Sequence, residues 1–373
     1  MSLTAPMSRT QGAAPRVAPC FHPLRVTEVR RETASAVSVA FEVPEALRDI
    51  FAFQPGQYLT LRRQIDGEEV RRCYSICAPP AAGELRVAIK HVEGGAFSTF
   101  ANTRLAAGDV LEVLPPEGRF ASGAGSGDGR RHLAIAAGSG ITPVMSILTT
   151  ALEREPVSEA LLLYGSRSTP EILFRDALED LKDRHLDRLS IVHVLSREEQ
   201  DLGMFAGRLD AERIGHLVPA WAEPAAIDAV YVCGPGGLIA TAEATLRQLG
   251  VPGGRVHVER FVVAGQAGRA AGVPPAADAH AFARARVIHD GKTTEIPVAE
   301  GEAVLEAALR AGLDLPWSCR AGMCCTCRAR LVEGSAEMRQ NFSLEPWEMA
   351  AGYVLTCQAV PTSERVVVDY DAA

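Results

Sequence analysis

Between Phe21 and residue 119 the chain alternates apolar and polar positions in short runs: His22–Arg30, Ala36–Val43, Gln57–Gln64, Arg72–Cys77, Glu84–His91 and Val110–Leu114. Period-two alternation marks half-buried strands, and strands with little helix between them predict an antiparallel β-barrel. The Gly-rich polar stretch 122–130 reads as the way out of it. From His132 to His257 the pattern changes to near-continuous apolar runs followed by helical segments. Leu133–Ala137 precedes Val144–Glu153, Ala160–Tyr164 precedes Leu173–Arg184, Ser190–Leu195 comes next, and Val230–Cys233 precedes Leu238–Gln248. This predicts an α/β domain, a parallel sheet covered on both faces. Val262–His280 is rich in Ala, Gly and Pro and reads as a tether. Beyond it, strands at Arg284–His289 and Thr294–Val298, a helix at Ala303–Ala311, a cysteine loop and strands at Arg328–Val332, Val354–Gln358 and Arg365–Asp369 predict a compact α+β unit. The expected division is a flexible tail at 1–20, a barrel at 21–127, an α/β domain at 128–261, a linker at 262–282 and a third unit at 283–373.

Composition narrows the function. The 373 residues suit two to four domains at about 100–200 residues each. With 47% hydrophobic and 23% charged residues the chain is globular, and a net charge of −8 without any Lys/Arg-rich run argues against nucleic acid and anionic lipid. Met1–Ala18 holds no continuous apolar stretch, so no secretory signal is expected. Other apolar segments are broken by Gly or Pro before the roughly 18 residues of a membrane helix. The expectation is a cytoplasmic protein whose partners are small molecules or proteins. In that compartment nine cysteines point to metal or redox chemistry, and four of them crowd into Cys319–Cys327.

Cys319, Cys324 and Cys327, with Cys357 downstream, have the C-x4-C-x2-C…C spacing of plant-type [2Fe–2S] centres. A loop of this length wraps one face of a small cluster, Gly322 permits its tight turn, and Cys357 closes the cage from a separate strand. Cys325 lies between ligands and is expected to point away. Four thiolates also suit structural zinc, although zinc sites usually show paired C-x2-C knuckles and one such pair is present. The segment resembles plant-type ferredoxin domains, whose β-grasp fold matches the strand–strand–helix order.

On a barrel strand, Arg72 and Tyr74 share a face, a guanidinium beside a ring, and Ser75 follows. Gly94-Gly95-Ala96-Phe97-Ser98 is a Gly-rich turn opening a short helix, where free N–H groups can hold a pyrophosphate. Gly138-Ser139-Gly140-Ile141-Thr142-Pro143 follows the first strand of the α/β domain, and Cys233-Gly234-Pro235 follows a later one. These motifs, in this order, resemble the ferredoxin–NADP reductase superfamily. The resemblance implies that Arg72 contacts the FAD phosphate, Tyr74 stacks on the flavin, Ser75 reaches its ring nitrogen, and Ser98 with Gly95 supports the pyrophosphate. It further implies that Gly138, Gly140, Thr142 and Pro143 form the nicotinamide dinucleotide loop and that Cys233, Gly234 and Pro235 lie beside the nicotinamide. Tyr74, Ser75 and Cys233 are then the catalytic candidates. Phe261 either covers the flavin face or ends a strand as a core residue. Ser166 and Arg167 offer a hydroxyl and a cation where NAD sites favour an acid, with Arg175 nearby in sequence, so NADPH is the expected cosubstrate.

A nicotinamide donates two electrons together and a [2Fe–2S] cluster accepts one, so FAD must mediate. None of the nine histidines sits in an E-x-x-H arrangement and no haem attachment appears, so the terminal reaction centre is expected on a partner. Segments 67–77, 134–143, 257–261, 343–346 and 353–359 together resemble the family of reductase components of the bacterial phenylacetyl-CoA epoxidases. That implies transfer from NADPH through FAD and [2Fe–2S] to a di-iron oxygenase subunit in aerobic phenylacetate catabolism. A reductase for a steroid or ring hydroxylase, or for a hybrid-cluster protein, and a flavin-free iron–sulfur sensor or scaffold are the alternatives.

Overall fold

The computed structural model describes residues 20–121, 127, 129–261 and 281–372. The expected tail, the tether Val262–His280 and most of the stretch 122–130 lie outside them. The chain divides into two compact units, which within the described residues run from 20 to 261 and from 281 to 372.

The first unit opens with six strands: β1 (His22–Thr33), β2 (Ala36–Glu42), β3 (Tyr58–Ile65), β4 (Glu68–Ser75), β5 (Leu85–Lys90) and β6 (Val110–Val113). They form one antiparallel sheet in the order β4-β3-β6-β1-β2-β5. Alternate residues such as Leu24, Val26, Leu59, Leu61, Val87 and Ile89 turn inward to a shared core. Helix α1 (Ala96–Thr103) adds Phe97 and Phe100 to it. The expected barrel is a curled sheet here. Its end strands meet through one bridge, Ile76↔Val87, and the chain then enters Pro79-Pro80, which have no N–H to extend the ladder.

The same unit continues into β7 (Arg131–Ala137), α2 (Ile141–Arg154), β8 (Glu159–Ser166), α3 (Arg175–Arg184), β9 (Leu189–Leu195), α4 (Ala211–Trp221), β10 (Ala229–Gly234), α5 (Gly236–Gln248) and β11 (Val256–Arg260). All five strands pair in parallel, in the order β11-β10-β7-β8-β9. Strand order reverses between β7 and β10, which opens a crevice at their carboxyl ends. The alternation did not reveal α4 and β11. Helix α4 carries Pro219 and a glycine and is started by Asp210, whose carboxylate accepts the Arg213 N–H at 3.0 Å, while every residue of β11 is only half-buried. The Ser146 hydroxyl on α2 donates to the Ala78 carbonyl at 2.8 Å, joining the parallel sheet to the antiparallel one.

The second unit comprises β12 (Ala283–His289), β13 (Lys292–Val298), α6 (Val304–Arg310), β14 (Arg328–Glu333), β15 (Ala336–Met338), α7 (Pro346–Ala350), β16 (Tyr353–Leu355), β17 (Ala359–Pro361) and β18 (Arg365–Asp369). A mixed sheet in the order β13-β12-β18-β14-β16 has only β12 and β18 parallel, and β15 pairs with β17. Val304, Leu305, Ala307 and Ala308 of α6 pack on Ala285, Val287, Val366 and Val368. No described helix is long and apolar enough to cross a membrane.

Candidate functional site

The loop between α6 and β14 carries Cys319, Cys324 and Cys327, and Cys357 follows β16. Three of these are buried and Cys319 is half-buried. Hydrogen bonding with Cys324, then burial, pushes the Cys319 thiol up. Cys327 is pushed up by hydrogen bonding with Cys357, and by burial and the nearby Cys324 and Cys319, while the same bond holds Cys357 down. Cys319 thus neighbours Cys324, and Cys327 neighbours Cys357, with Cys319 and Cys324 near enough to Cys327 to act on it. Backbone N–H groups face them: Ala321 and Met323 donate to Cys319 Sγ, and Cys319 to Cys324 Sγ, each at 3.4 Å. Donors aimed at sulfur stabilise negative thiolates, which suits a cluster. Among the described residues no three Cys, His, Asp or Glu side chains converge on a single metal ion. A binuclear cluster divides its four cysteines between two irons, so its cage need not converge on one point. Gly322 has φ +73°, and a Cβ there would stand 2.8 Å from the Gln340 carbonyl oxygen. Cys325 has φ +54° and packs against the unit's core, away from its neighbours' role.

In the antiparallel sheet, Arg72 is exposed near the end of β4 and donates to the Arg71 carbonyl at 2.7 Å. The adjacent Arg71 is buried instead and pairs with Glu69 at 2.8 Å. Tyr74 lies half-buried with its ring 5.6 Å from that of Phe97, and burial holds its hydroxyl protonated. The exposed guanidinium and this ring share a face that a flat, phosphorylated ligand fits. Beyond β5, Ser98 turns inward: its hydroxyl accepts from Val92 N–H and donates to the Gly95 carbonyl, both at 3.1 Å. A Cβ on Gly95 would come within 2.6 Å of that hydroxyl. Ser98 thus shapes the turn, and the first N–H groups of α1 are what the turn offers an anion.

At the crevice, the Gly138-Ser139-Gly140 turn lies directly on the end of β10. A Cβ on Gly140 would stand 2.1 Å from the Cys233 carbonyl oxygen, and one on Gly234 3.3 Å from Ala137 N. Tyr164 braces the turn, donating to the Gly138 carbonyl at 3.0 Å, and Thr142 donates to Ser139 at 2.9 Å. Pro143 falls in the first turn of α2, where its missing N–H leaves no helical bond unmade. Pro235 precedes α5, so two helix N-termini meet the crevice. Ser166 is buried and Arg167 exposed at the end of β8, with Arg167 Nη1 3.6 Å from Glu171 Oε2. Arg175 is on α3 and pairs with Glu179 at 3.2 Å on its own helix.

Two groups were missed in the sequence. Glu259 on β11 is the register partner of Cys233, and it accepts a hydrogen bond from Ser75 at 3.3 Å. Burial raises its carboxyl to about 8, and its second oxygen has no hydrogen-bond partner. Burial, with Glu259 adding to it, also keeps Cys233 a thiol. Phe261 packs on the cluster that contains Cys233, Tyr231 and Phe120. No spacing joins Ser75 to Glu259; only the fold does. The other missed group is Ser196-Arg197 after β9, whose backbone N–H groups donate to Ser166 O at 3.0 Å and Arg167 O at 2.7 Å. The repeated Ser-Arg after neighbouring apolar runs was a readable signal.

Comparisons bear on this geometry. An oxidoreductase FAD-binding domain model matches residues 23–121, an oxidoreductase NAD-binding domain model 134–244, and a 2Fe-2S iron-sulfur cluster binding domain model 287–362. A component of the 1,2-phenylacetyl-CoA epoxidase of Escherichia coli (strain K12) is 43% identical over 94% of this chain and 98% of its own. The 3-ketosteroid-9-alpha-monooxygenase ferredoxin reductase component of Mycolicibacterium smegmatis is 37% identical over 93% and 96%. Among solved structures, phthalate dioxygenase reductase superposes with a TM-score of 0.55 at 23% identity, covering 94% of this chain and 98% of its own.

Proposed function

From one premise, that this chain belongs to the family of oxidoreductases joining FAD-binding, NAD-binding and [2Fe–2S] domains that pass electrons from NAD(P)H through FAD to the cluster, we propose that it is the reductase component of a phenylacetyl-CoA epoxidase, delivering electrons to the di-iron oxygenase subunit of that system. The observation that carries this reading is the 43% identity over nearly the whole of both chains, against 37% for the ketosteroid system's component. The domains are assigned as FAD-binding at 21–127, NAD(P)-binding at 128–261, a linker at 262–282 and a [2Fe–2S] ferredoxin at 283–373.

Bound FAD supplies the exchange between a two-electron donor and a one-electron acceptor. The chain's residues position it. Arg72 would pair with its phosphate, Tyr74 would offer its ring to the flavin, and the α1 N-terminus beside Gly95 and Ser98 would meet its pyrophosphate. The turn Gly138–Gly140, with Thr142 and Pro143 behind it, would hold the nicotinamide dinucleotide beside Cys233-Gly234-Pro235, and Phe261 would cover the flavin. At neutral pH Glu259 keeps its proton, and Ser75 orients that carboxyl, so the pair holds a proton that could be offered to a bound flavin. Cys319, Cys324, Cys327 and Cys357 hold the cluster. Arg167, with Arg197 beside it, meets a 2′-phosphate and makes NADPH the cosubstrate; unchanged NADPH preference in Arg167→Ala contradicts that assignment.

Reconstitution tests the acceptor. The purified chain, mixed with a phenylacetyl-CoA epoxidase di-iron subunit or with a ketosteroid oxygenase, supports NADPH-dependent turnover with the former. Turnover with the steroid system alone overturns the assignment and leaves family membership intact.

A further inference from the structure

Arg167 does not stand alone at the end of β8. Four residues on, in the turn Thr169–Glu171, the Glu171 carboxylate lies 3.6 Å from Arg167 Nη1, and its Oε2 is buried with no hydrogen-bond partner. The turn is anchored from behind, where Glu198 accepts from the Thr169 N–H and hydroxyl, each at 2.7 Å. A second cation faces the same place from the other sheet. Lys90, the last residue of β5, has its Nζ 3.7 Å from where a Gly138 Cβ would be. Glu171 attracts it and Arg167 repels it, on top of a burial that lowers its pKa. Glu171 is thus ion-paired with Arg167, and Lys90 stands beside the dinucleotide turn within reach of the charge of both.

A carboxylate held by this geometry has a chemical consequence. It lies where phosphate oxygens would seek the same guanidinium. Both forms of the coenzyme carry a pyrophosphate, but only one brings a further dianion to the ribose. The penalty from a fixed negative charge therefore falls more heavily on that form, which is specificity by repulsion.

We propose that Glu171 is a specificity-determining residue that competes with the 2′-phosphate for Arg167, so that the chain discriminates less sharply in favour of NADPH than its Arg167 alone would allow. The proposal rests on the reading that Arg167 meets the 2′-phosphate. It places the acid that normally marks an NAD site in the turn after the strand rather than at its end.

The test is steady-state flavin reduction by NADPH and by NADH in the FAD-loaded full chain. In Glu171→Gln the NADPH KM falls about three- to tenfold, the span between exposed and partly buried ion pairs. NADH KM moves by less than about twofold, and kcat is unchanged for both, because binding and not chemistry is altered. Glu171→Asp, which keeps the charge, retains the parent selectivity. Arg167→Ala loses NADPH preference, and Arg167→Ala/Glu171→Gln recovers part of it. An unmoved NADPH:NADH ratio in Glu171→Gln, with Arg167→Ala still losing preference, overturns this inference alone. If Arg167→Ala leaves the ratio unmoved as well, the assignment of Arg167 to the 2′-phosphate fails with it.

Discussion

The two units build their redox sites in opposite ways. In the cluster unit, three of the four thiols assigned to the cluster come from one loop and the fourth from just beyond β16, which pairs with the strand that follows that loop. In the first unit, the groups that meet are Ser75 and Glu259, 184 positions apart, with Cys233 opposite Glu259 on the neighbouring strand. A site written into one loop fails locally when one residue changes. A site assembled at the ends of strands depends on how two sheets are held, so changes in packing reach its chemistry.

The largest expected contrast comes from Cys324→Ser. It removes one of the four thiols assigned to the cluster, and transfer from NADPH to a one-electron acceptor such as cytochrome c falls to background while flavin bleaching by NADPH continues at the parent rate. Loss of both in stopped-flow absorbance would show that the units are not separable. Gly140→Ala is the reverse experiment. Its Cβ would fall 2.1 Å from the Cys233 carbonyl, so the turn must move; overpacking of this kind costs about 1–3 kcal/mol. Flavin bleaching and the first unit's melting midpoint both drop, while the visible cluster spectrum stays.

A smaller effect separates the units by pH. The Glu259 carboxyl is raised by burial from an ordinary 4.5 to about 8, with the Ser75 hydrogen bond pulling it down. The folded state thus binds its proton more tightly than the unfolded one. The destabilisation is absent below pH 4.5, grows as pH rises towards 8, and is constant above. Across that window the parent loses stability relative to Glu259→Gln, by a few kcal/mol at most in order of magnitude, and thermal melts at stepped pH measure it. The smallest change is Ser75→Ala. Removing a 3.3 Å hydrogen bond shifts the apparent pKa of flavin reduction upward by under about one unit, on the order of 1 kcal/mol. A downward shift would mean that the hydroxyl does not favour the carboxylate.

The same contrast explains what the sequence could show. Cys319, Cys324, Cys327 and Cys357 stood out because their spacing alone suits a loop around a cluster. Strands β1 to β10 were legible as alternating or continuous apolar runs. Strand β11 was not, because its residues are all half-buried and present no period, and Glu259 went unseen with it. Helix α4 was hidden by Pro219, α7 by its brevity, and the three-residue strands β15 and β17 by having no room for a pattern. The first sheet brings its end strands together only at the Ile76↔Val87 bridge before the prolines, a detail that alternation, which fixes the buried face, does not carry. Arg167 was visible as a cation after a strand, whereas its partner Glu171 acquires meaning only once the turn folds it back.

The most direct measurement is an anaerobic titration of the purified chain with NADPH, following flavin and iron–sulfur absorbance together, with iron and zinc determined on the same sample. The result expected is iron without zinc, and bleaching of both chromophores, with the cluster's bleaching lost in Cys324→Ser. Zinc in the cage, or a flavin that bleaches while the cluster stays oxidised, would contradict transfer through the four-cysteine unit.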